Sequence, residues 1–319
     1  MTGDGASPAR PPRVASGAVR SALGATAAVL IWSGYYLVAR SGLEIDLTVA
    51  DLVAARYFLP GLVLAPLLLR LGVSRRGIAG IEWKRALVLT ALGGLTFGWL
   101  LTSGLRFAPA SHGAIFTSAT VPIIVVFLAW PILRQAPTPG QLAGIALIFA
   151  GDVLIVADAW AGAGAAEGQY IGHLLMIGAG VAWASFTVLV RRWSVAPMPA
   201  TIVLSVLSSL AFLPYYLLVA ESNVASAPLL EASVHVLYLG LLVGVGATLF
   251  YTAAVRVLGA QRTALTTALI PACTALLAIS VLGENPTGME IGGLVLVTSG
   301  MPFALGWRPW RRVAASPRQ

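Results

Sequence analysis

Apolar residues run along this chain in long blocks, none of which alternates with period two. A helix rises about 1.5 Å per residue, so a hydrocarbon layer of about 30 Å takes roughly 20 apolar residues to cross. Blocks of that length lie at 19–41, 49–71, 84–106, 110–133, 139–157, 169–192, 198–220, 231–255, 260–282 and 287–307. The separators, such as GVSRRG, RFAPAS, RQAPTPG, SVAPMP and GENPTG, are short and carry turn residues. The pattern predicts an all-α membrane protein of ten transmembrane helices, with no room for a soluble domain. The missing alternation excludes a β-barrel.

Composition agrees. Of 319 residues, 58% are hydrophobic and 10% charged, where soluble domains carry about a quarter charged. Mean hydropathy is +0.87. The net charge of +8 would point to nucleic acid in a soluble protein, but the basic residues stand in short clusters between apolar blocks, with no aromatic-interleaved patch. We therefore expect a lipid bilayer and a small-molecule substrate as partners, and no nucleic acid. Cys273 is the single cysteine, so no intramolecular disulfide forms. Residues 1–18, rich in Pro, Ala, Gly and Arg, read as a disordered tail without a signal-peptide core, and 308–319 as a second tail.

The basic residues set an orientation. With the N-terminus in the cytoplasm, seventeen of the twenty Lys and Arg fall inside, Arg40 and Arg106 fall outside, and Arg56 lies within a span. The positive-inside rule then places both termini in the cytoplasm.

The chain repeats itself. LRQAPTPGQLAG (133–144) aligns with LGENPTGMEIGG (282–293) at an offset of 149, Pro137 over Pro286, Thr138 over Thr287 and Gly144 over Gly293. Trp32 corresponds to Trp183, Arg106 to Arg256 and Pro122 to Pro271 at nearby offsets. Five spans per half make the second copy, 169–307, enter the membrane upside down relative to the first, 19–157. The same joint then carries Arg134 on the cytoplasmic face and Glu284 on the opposite one.

These residues resemble the EamA family of the drug/metabolite transporter superfamily: two five-span halves, Trp in the first span of each, AARYFLPGLVLAPLLL in the second, a proline in the fourth and ninth, and LGENPTGMEIGG entering the last. Gly283-Glu284 matches the family's small-residue-then-Glu ending, and Arg134-Gln135 departs from it. The resemblance covers about Arg20 to Trp307. It implies a bacterial inner-membrane exporter of amino acids, related metabolites or drugs, with a cavity framed by the first, third, fourth, sixth, eighth and ninth spans.

Most tryptophans fall at span ends, where interfaces favour them, including Trp83, Trp130, Trp160, Trp193, Trp307 and Trp310. Trp32, Trp99 and Trp183 lie deep. Tyr35 and Tyr36 follow Trp32, and Phe186 and Thr187 follow Trp183, at helical spacing, so each set shares a face. With Phe116, Thr117 and Tyr251 they are the expected cavity lining, the alternative being packing between helices. Pro122 and Pro271 each remove a helical hydrogen bond and are expected to kink their spans. Arg56 and Asp152 are the ionisable residues inside spans, each roughly 10 Å from the outer end, and are expected to pair or to reach the outer interface, proton carriage by Asp152 being the alternative. His112, His173 and His235 near span ends read as interface residues without metal-ligand spacing, and no cofactor motif is present.

The function expected is therefore a secondary transporter or facilitated exporter of small neutral or zwitterionic metabolites, amino acids foremost and aromatic ones among them. A drug or nucleoside exporter and a packing subunit of another membrane complex are the alternatives. An enzyme is not expected, since no paired catalytic constellation is visible. A homodimer is compatible with these spans.

Overall fold

A computed structural model describes residues 13–161, 168–258, 263 and 266–306. Most of the two tails, with Trp307 and Trp310, lies outside the described residues, as do the side chains of Trp160 and Arg256. Helix α1 (Arg13–Glu44) begins directly after Pro11-Pro12 and so includes residues 13–18, which composition alone assigns to the tail. It is followed by α2 (Val49–Leu71), α3 (Trp83–Gly104), α4 (Ala110–Leu133), α5 (Pro139–Ala161), α6 (Gln169–Arg192) and α7 (Pro197–Leu218). The next helix, α8, joins Leu229–Leu237, Tyr238–Ala247 and Thr248–Leu258. A 3-10 turn at Thr267–Leu269 leads into α9 (Ile270–Leu282), and α10 spans Gly288–Ala304.

Eight of these, α1 to α8, are long and apolar enough to cross a membrane, whereas Thr267–Leu282 and Gly288–Ala304 are shorter apolar helices. The last two fall short of their expected spans for visible reasons. Residues 259–262 and 264–265 before the ninth lie outside the described residues, and the tenth stops at Ala304, just ahead of Gly306 at φ 86°. The outer skin of the bundle is apolar: Leu62 is 72% exposed, Leu174 65% and Leu276 66%. Small polar side chains are inside instead, Ser33, Ser208 and Thr274 among them. Only a lipid solvent makes that distribution favourable.

Two features escape a reading of apolar blocks. Between α2 and α3, β1 (Gly77–Ile78) pairs antiparallel with β2 (Ile81–Glu82), turning through Ala79 and Gly80, both at positive φ as a tight hairpin requires. Within α3 the stretch Thr90–Thr96 is π-helical, and so is Tyr238–Ala247 within α8. Both are glycine-rich, and a Cβ on Gly93 would stand 2.6 Å from the Phe186 ring while one on Gly244 would stand 2.4 Å from Pro60. The wide turns thus lie where α3 meets α6 and where α8 meets α2.

The repeated joint is the same object twice. Arg134 and Gly283 both end their helices in the left-handed region, at φ 56° and 67°. Gln135 N–H then donates to Ala129 O and Glu284 N–H to Ala278 O, closing the two helix ends alike. Thr138 and Gln141 cap the start of α5 reciprocally, as Thr287 and Glu290 cap α10. Gln and Glu serve this box equally, which is why the joint tolerates the exchange.

Helices equivalent in the two halves also meet each other. Gly144 and Gly151 of α5 lie against Gly300 and Gly293 of α10, so close that a Cβ on any of the four would stand 2.6 to 2.7 Å from the facing carbonyl oxygen. The order of those contacts makes α5 and α10 antiparallel. On the other side α2 crosses α7 antiparallel, with Ser209 Oγ donating to Tyr57 O at 2.6 Å and Tyr216 Oη donating to Asp51 Oδ1 at 2.8 Å. Asp51 is 3% exposed and accepts as well from Ser222 Oγ, Asn223 N and Thr48 N. Asp51→Ala strands four donors, and at about 1.5–3 kcal/mol per charged hydrogen bond thermal unfolding in detergent should show a loss of at least about 3 kcal/mol, with Asp51→Asn losing less. An unchanged midpoint for the alanine variant would dismiss this anchor.

Candidate functional site

Three helices bring an aromatic group around one cation. Arg56 on α2 lays its guanidinium 4.5 Å from the ring centre of Tyr35 on α1, 5.1 Å from Phe97 on α3 and 5.8 Å from Tyr57. Phe97 in turn packs 4.9 Å from Trp183 on α6, and Trp183 lies 5.1 Å from Phe186. Tyr35 Oη is 3.1 Å from Thr102 Oγ1, which fixes the ring over Arg56, and Tyr36 meets it edge-on at 5.5 Å. Counting residues from the helix ends, Arg56 lies roughly 10 Å and Trp183 roughly 20 Å from the end of the bundle where α1 gives way to α2. The group therefore occupies the middle of the bundle.

Arg56 is half-buried, and among the described residues no carboxylate stands within ion-pair distance of it. Arg56 and Asp152 are not paired. Asp152 lies on α5, and its Oδ1 is buried without a hydrogen-bond partner. The aromatic faces give Arg56 its stabilisation instead, since a guanidinium over a ring gains about 0.5–2 kcal/mol, and one side of it faces the Tyr57 hydroxyl.

The other expected lining residues divide. Trp32 packs on Tyr251 of α8 at 5.2 Å, extending the aromatic wall from α1. Thr187 spends its hydroxyl on Trp183 O and Thr117 on Met176 O, so both are helix-bound. Trp99 turns away from Arg56: with Leu95, Thr96, Leu100, Phe212 and Tyr215 it lines a groove of about 410 Å³ between α3 and α7. Pro122 sits inside α4 as expected, whereas Pro271 occupies the first turn of α9 after the 3-10 turn, where its missing N–H costs nothing. Phe97, Tyr57 and Thr102 went unnoticed in the sequence. Phe97 and Thr102 stand five residues apart, which is not a same-face spacing, so no pattern in the sequence joins them.

Phe116 belongs to a second cluster near the first turns of α4, α6 and α10. Its ring stacks on His173 at 4.3 Å. His112 Nδ1 is 3.0 Å from His173 Nε2, and His112 Nε2 is 2.8 Å from Glu290 Oε1. Glu290 Oε2 keeps its capping bond to Thr287 N, so its two oxygens serve two tasks. Beside it Glu284, at the end of α9, accepts from Ala110 N at 2.7 Å and Ser111 Oγ at 2.5 Å, capping α4 from another helix. The three histidines lie near helix ends but are buried inside the bundle. Among the described residues no group of three or more His, Cys, Asp or Glu is arranged as metal ligands.

Residues 19–157 and 170–305 each match the EamA-like transporter family. A protein of Archaeoglobus fulgidus named "Uncharacterized transporter" is 28% identical over 277 residues, covering 84% of this chain and 92% of its own length. "Uncharacterized transporter YyaM" of Bacillus subtilis is 24% identical over 222 residues, 69% of this chain and 72% of its own. A crystal structure of a protein 22% identical superposes with a TM-score of 0.60 over 90% of this chain and 98% of that one. The last likeness speaks for the fold alone.

Proposed function

Because the chain belongs to the EamA-like transporter family, we propose that it is a secondary transporter carrying small neutral or zwitterionic metabolites, amino acids foremost and aromatic ones among them, by alternating access around the Arg56 cluster. The observation that carries this is the half-buried guanidinium, with no carboxylate of the described residues in ion-pair reach, ringed by Tyr35, Tyr57 and Phe97, with Trp183 packed behind Phe97. A solute with one carboxylate and an apolar or aromatic body answers both parts of that surface.

Alternating access is supported by the pairing of equivalent helices. Helix α5 crosses α10 and α2 crosses α7 antiparallel, as a twofold axis in the membrane plane would demand. The neighbours follow the same exchange: α1 packs on α8 and α9, and α6 on α3 and α4. We read this as two inverted five-helix repeats and ten spans in all, the short α9 and α10 included. With the basic residues inside, both termini are cytoplasmic, the α1–α2 end faces outward, and the bacterial inner membrane is the site of action. Transport of this kind is not enzymatic, and the transporter names of the relatives favour the same conclusion.

Uptake of labelled phenylalanine, tryptophan and leucine into proteoliposomes tests the reading, with Trp32→Ala and Trp183→Ala at equal reconstitution. Aromatic packing is worth about 0.5–1.5 kcal/mol, so the expected loss is roughly two- to tenfold, larger for Trp183→Ala, whose ring touches Phe97. Equal flux in both variants would return the tryptophans to packing. A wild type that moves nucleosides or cationic drugs and no amino acid would refute the substrate class.

A further inference from the structure

Helix packing alone does not need the chain of hydrogen bonds that runs from Glu290 through His112 to His173. These residues come from α10, α4 and α6, and His112 and His173 are buried. A carboxylate only accepts, so Nε2 of His112 carries the hydrogen facing Glu290 Oε1 at 2.8 Å. Nδ1 of His112 is then an acceptor in the neutral ring, and His173 Nε2–H donates to it across 3.0 Å.

We propose that Glu290, His112 and His173 form a proton-binding site that takes up one proton and, while holding it, clamps the first turns of α4, α6 and α10 together. A proton arriving at Nδ1 of His173 lets the hydrogen on its Nε2 pass to Nδ1 of His112. The ring of His173 ends as the other neutral tautomer, and His112 becomes an imidazolium that donates to Glu290 on one side and to His173 Nε2 on the other. Charge and hydrogens balance with one proton gained. A second proton would set two imidazoliums 3.0 Å apart with no lone pair between them. Gln169, whose amide lies 3.1 Å from His112 Nδ1, serves either state by turning nitrogen or oxygen toward the ring.

The nearest charged groups favour a cation here, and burial of the two rings opposes one. Glu284 faces the first turn of α4 from α9, and Asp158 of α5 stands one step behind Glu290, accepting from Thr287 Oγ1 at 2.8 Å. The nearby cations are engaged or exposed: Arg40 donates to Leu105 O and Glu44, and Arg106 is exposed. Tyr36 approaches from α1 at Gly113, Tyr170 on α6 is 60% exposed, and the Phe116 face covers His173.

The chain has three histidines, so ¹⁵N-histidine NMR of the full chain in lipid nanodiscs can follow each ring without any substrate. His235, bonded to Ser41 Oγ and Glu231 O, is the internal reference. On acidification the His112 and His173 signals are expected to move together, with one proton gained by the pair. Glu290→Gln keeps the capping geometry, as Gln141 shows in the other half, and should cut the protonated population at the wild-type half-loading pH roughly tenfold. His173→Gln should leave His112 titrating alone. Amide exchange over 110–116 and 288–294, corrected for its intrinsic pH dependence, should slow on protonation in the wild type and not in Glu290→Gln. Two protons bound at separate pH values, no uptake at all, or a Glu290→Gln titration that matches the wild type would each overturn the proposal.

Discussion

Gly293→Leu is expected to leave little folded protein, while Gly292→Leu next to it leaves the yield close to wild type. A Cβ on Gly293 would stand 2.6 Å from Ile155 Cγ1 and 2.7 Å from Gly151 O, and a Cβ on Gly292 would meet nothing within 4 Å. The backbone oxygen cannot give way without moving α5 from α10. Overpacking of this kind costs about 1–3 kcal/mol or more, and in lipid no hydrophobic gain offsets it, because close contact between small residues is itself what holds membrane helices together. Gly144→Leu, at the repeat-equivalent position, should fail in the same way, since its Cβ would stand 2.6 Å from Gly300 O. Monodisperse yield on size exclusion and the thermal midpoint in detergent check both. A Gly293→Leu protein as stable as Gly292→Leu would show that this crossing is loose.

The helices were legible where lipid length decided them. The boundaries of α2, α4 and α6 fall where the apolar blocks do, because bilayer thickness and turn chemistry act on contiguous residues. The paired glycines were half legible: Gly144 over Gly293 was visible in the repeat, but only the fold shows that Gly144 meets Gly300 and Gly293 meets Gly151, themselves one repeat apart. The π-helical stretches were not, since their glycines are equally at home in a regular membrane helix. Residue counting gave the depth of Arg56 but not the direction of a long side chain, so its meeting with Tyr35 and Phe97 was out of reach. Glu290 was readable as the capping partner of Thr287, whereas its second oxygen serves His112, 178 positions away. Trp99 misled because depth in the membrane says nothing about which side of a helix faces the bundle.

Arg56→Met is expected to remove transport of carboxylate-bearing solutes while the protein still folds. Methionine keeps much of the stem length and the contact with Tyr35, Tyr57 and Phe97, and it removes a charge that no carboxylate of the described chain balances. The bundle should therefore lose little stability, or gain some, since desolvating an unpaired cation is unfavourable. A charged hydrogen bond is worth about 1.5–3 kcal/mol, so uptake of phenylalanine or leucine should fall roughly tenfold to more than a hundredfold. Arg56→Lys should recover only part, because an ammonium cannot lie flat between rings and grip a carboxylate bidentately. The discriminating substrate is phenethylamine, which keeps the ring and the amine of phenylalanine without its carboxylate. Its uptake should be weak in the wild type and unharmed or improved in Arg56→Met, because the cation that repels it is gone. If phenylalanine and phenethylamine uptake fall together in a well-folded variant, Arg56 holds the bundle and does not read the solute.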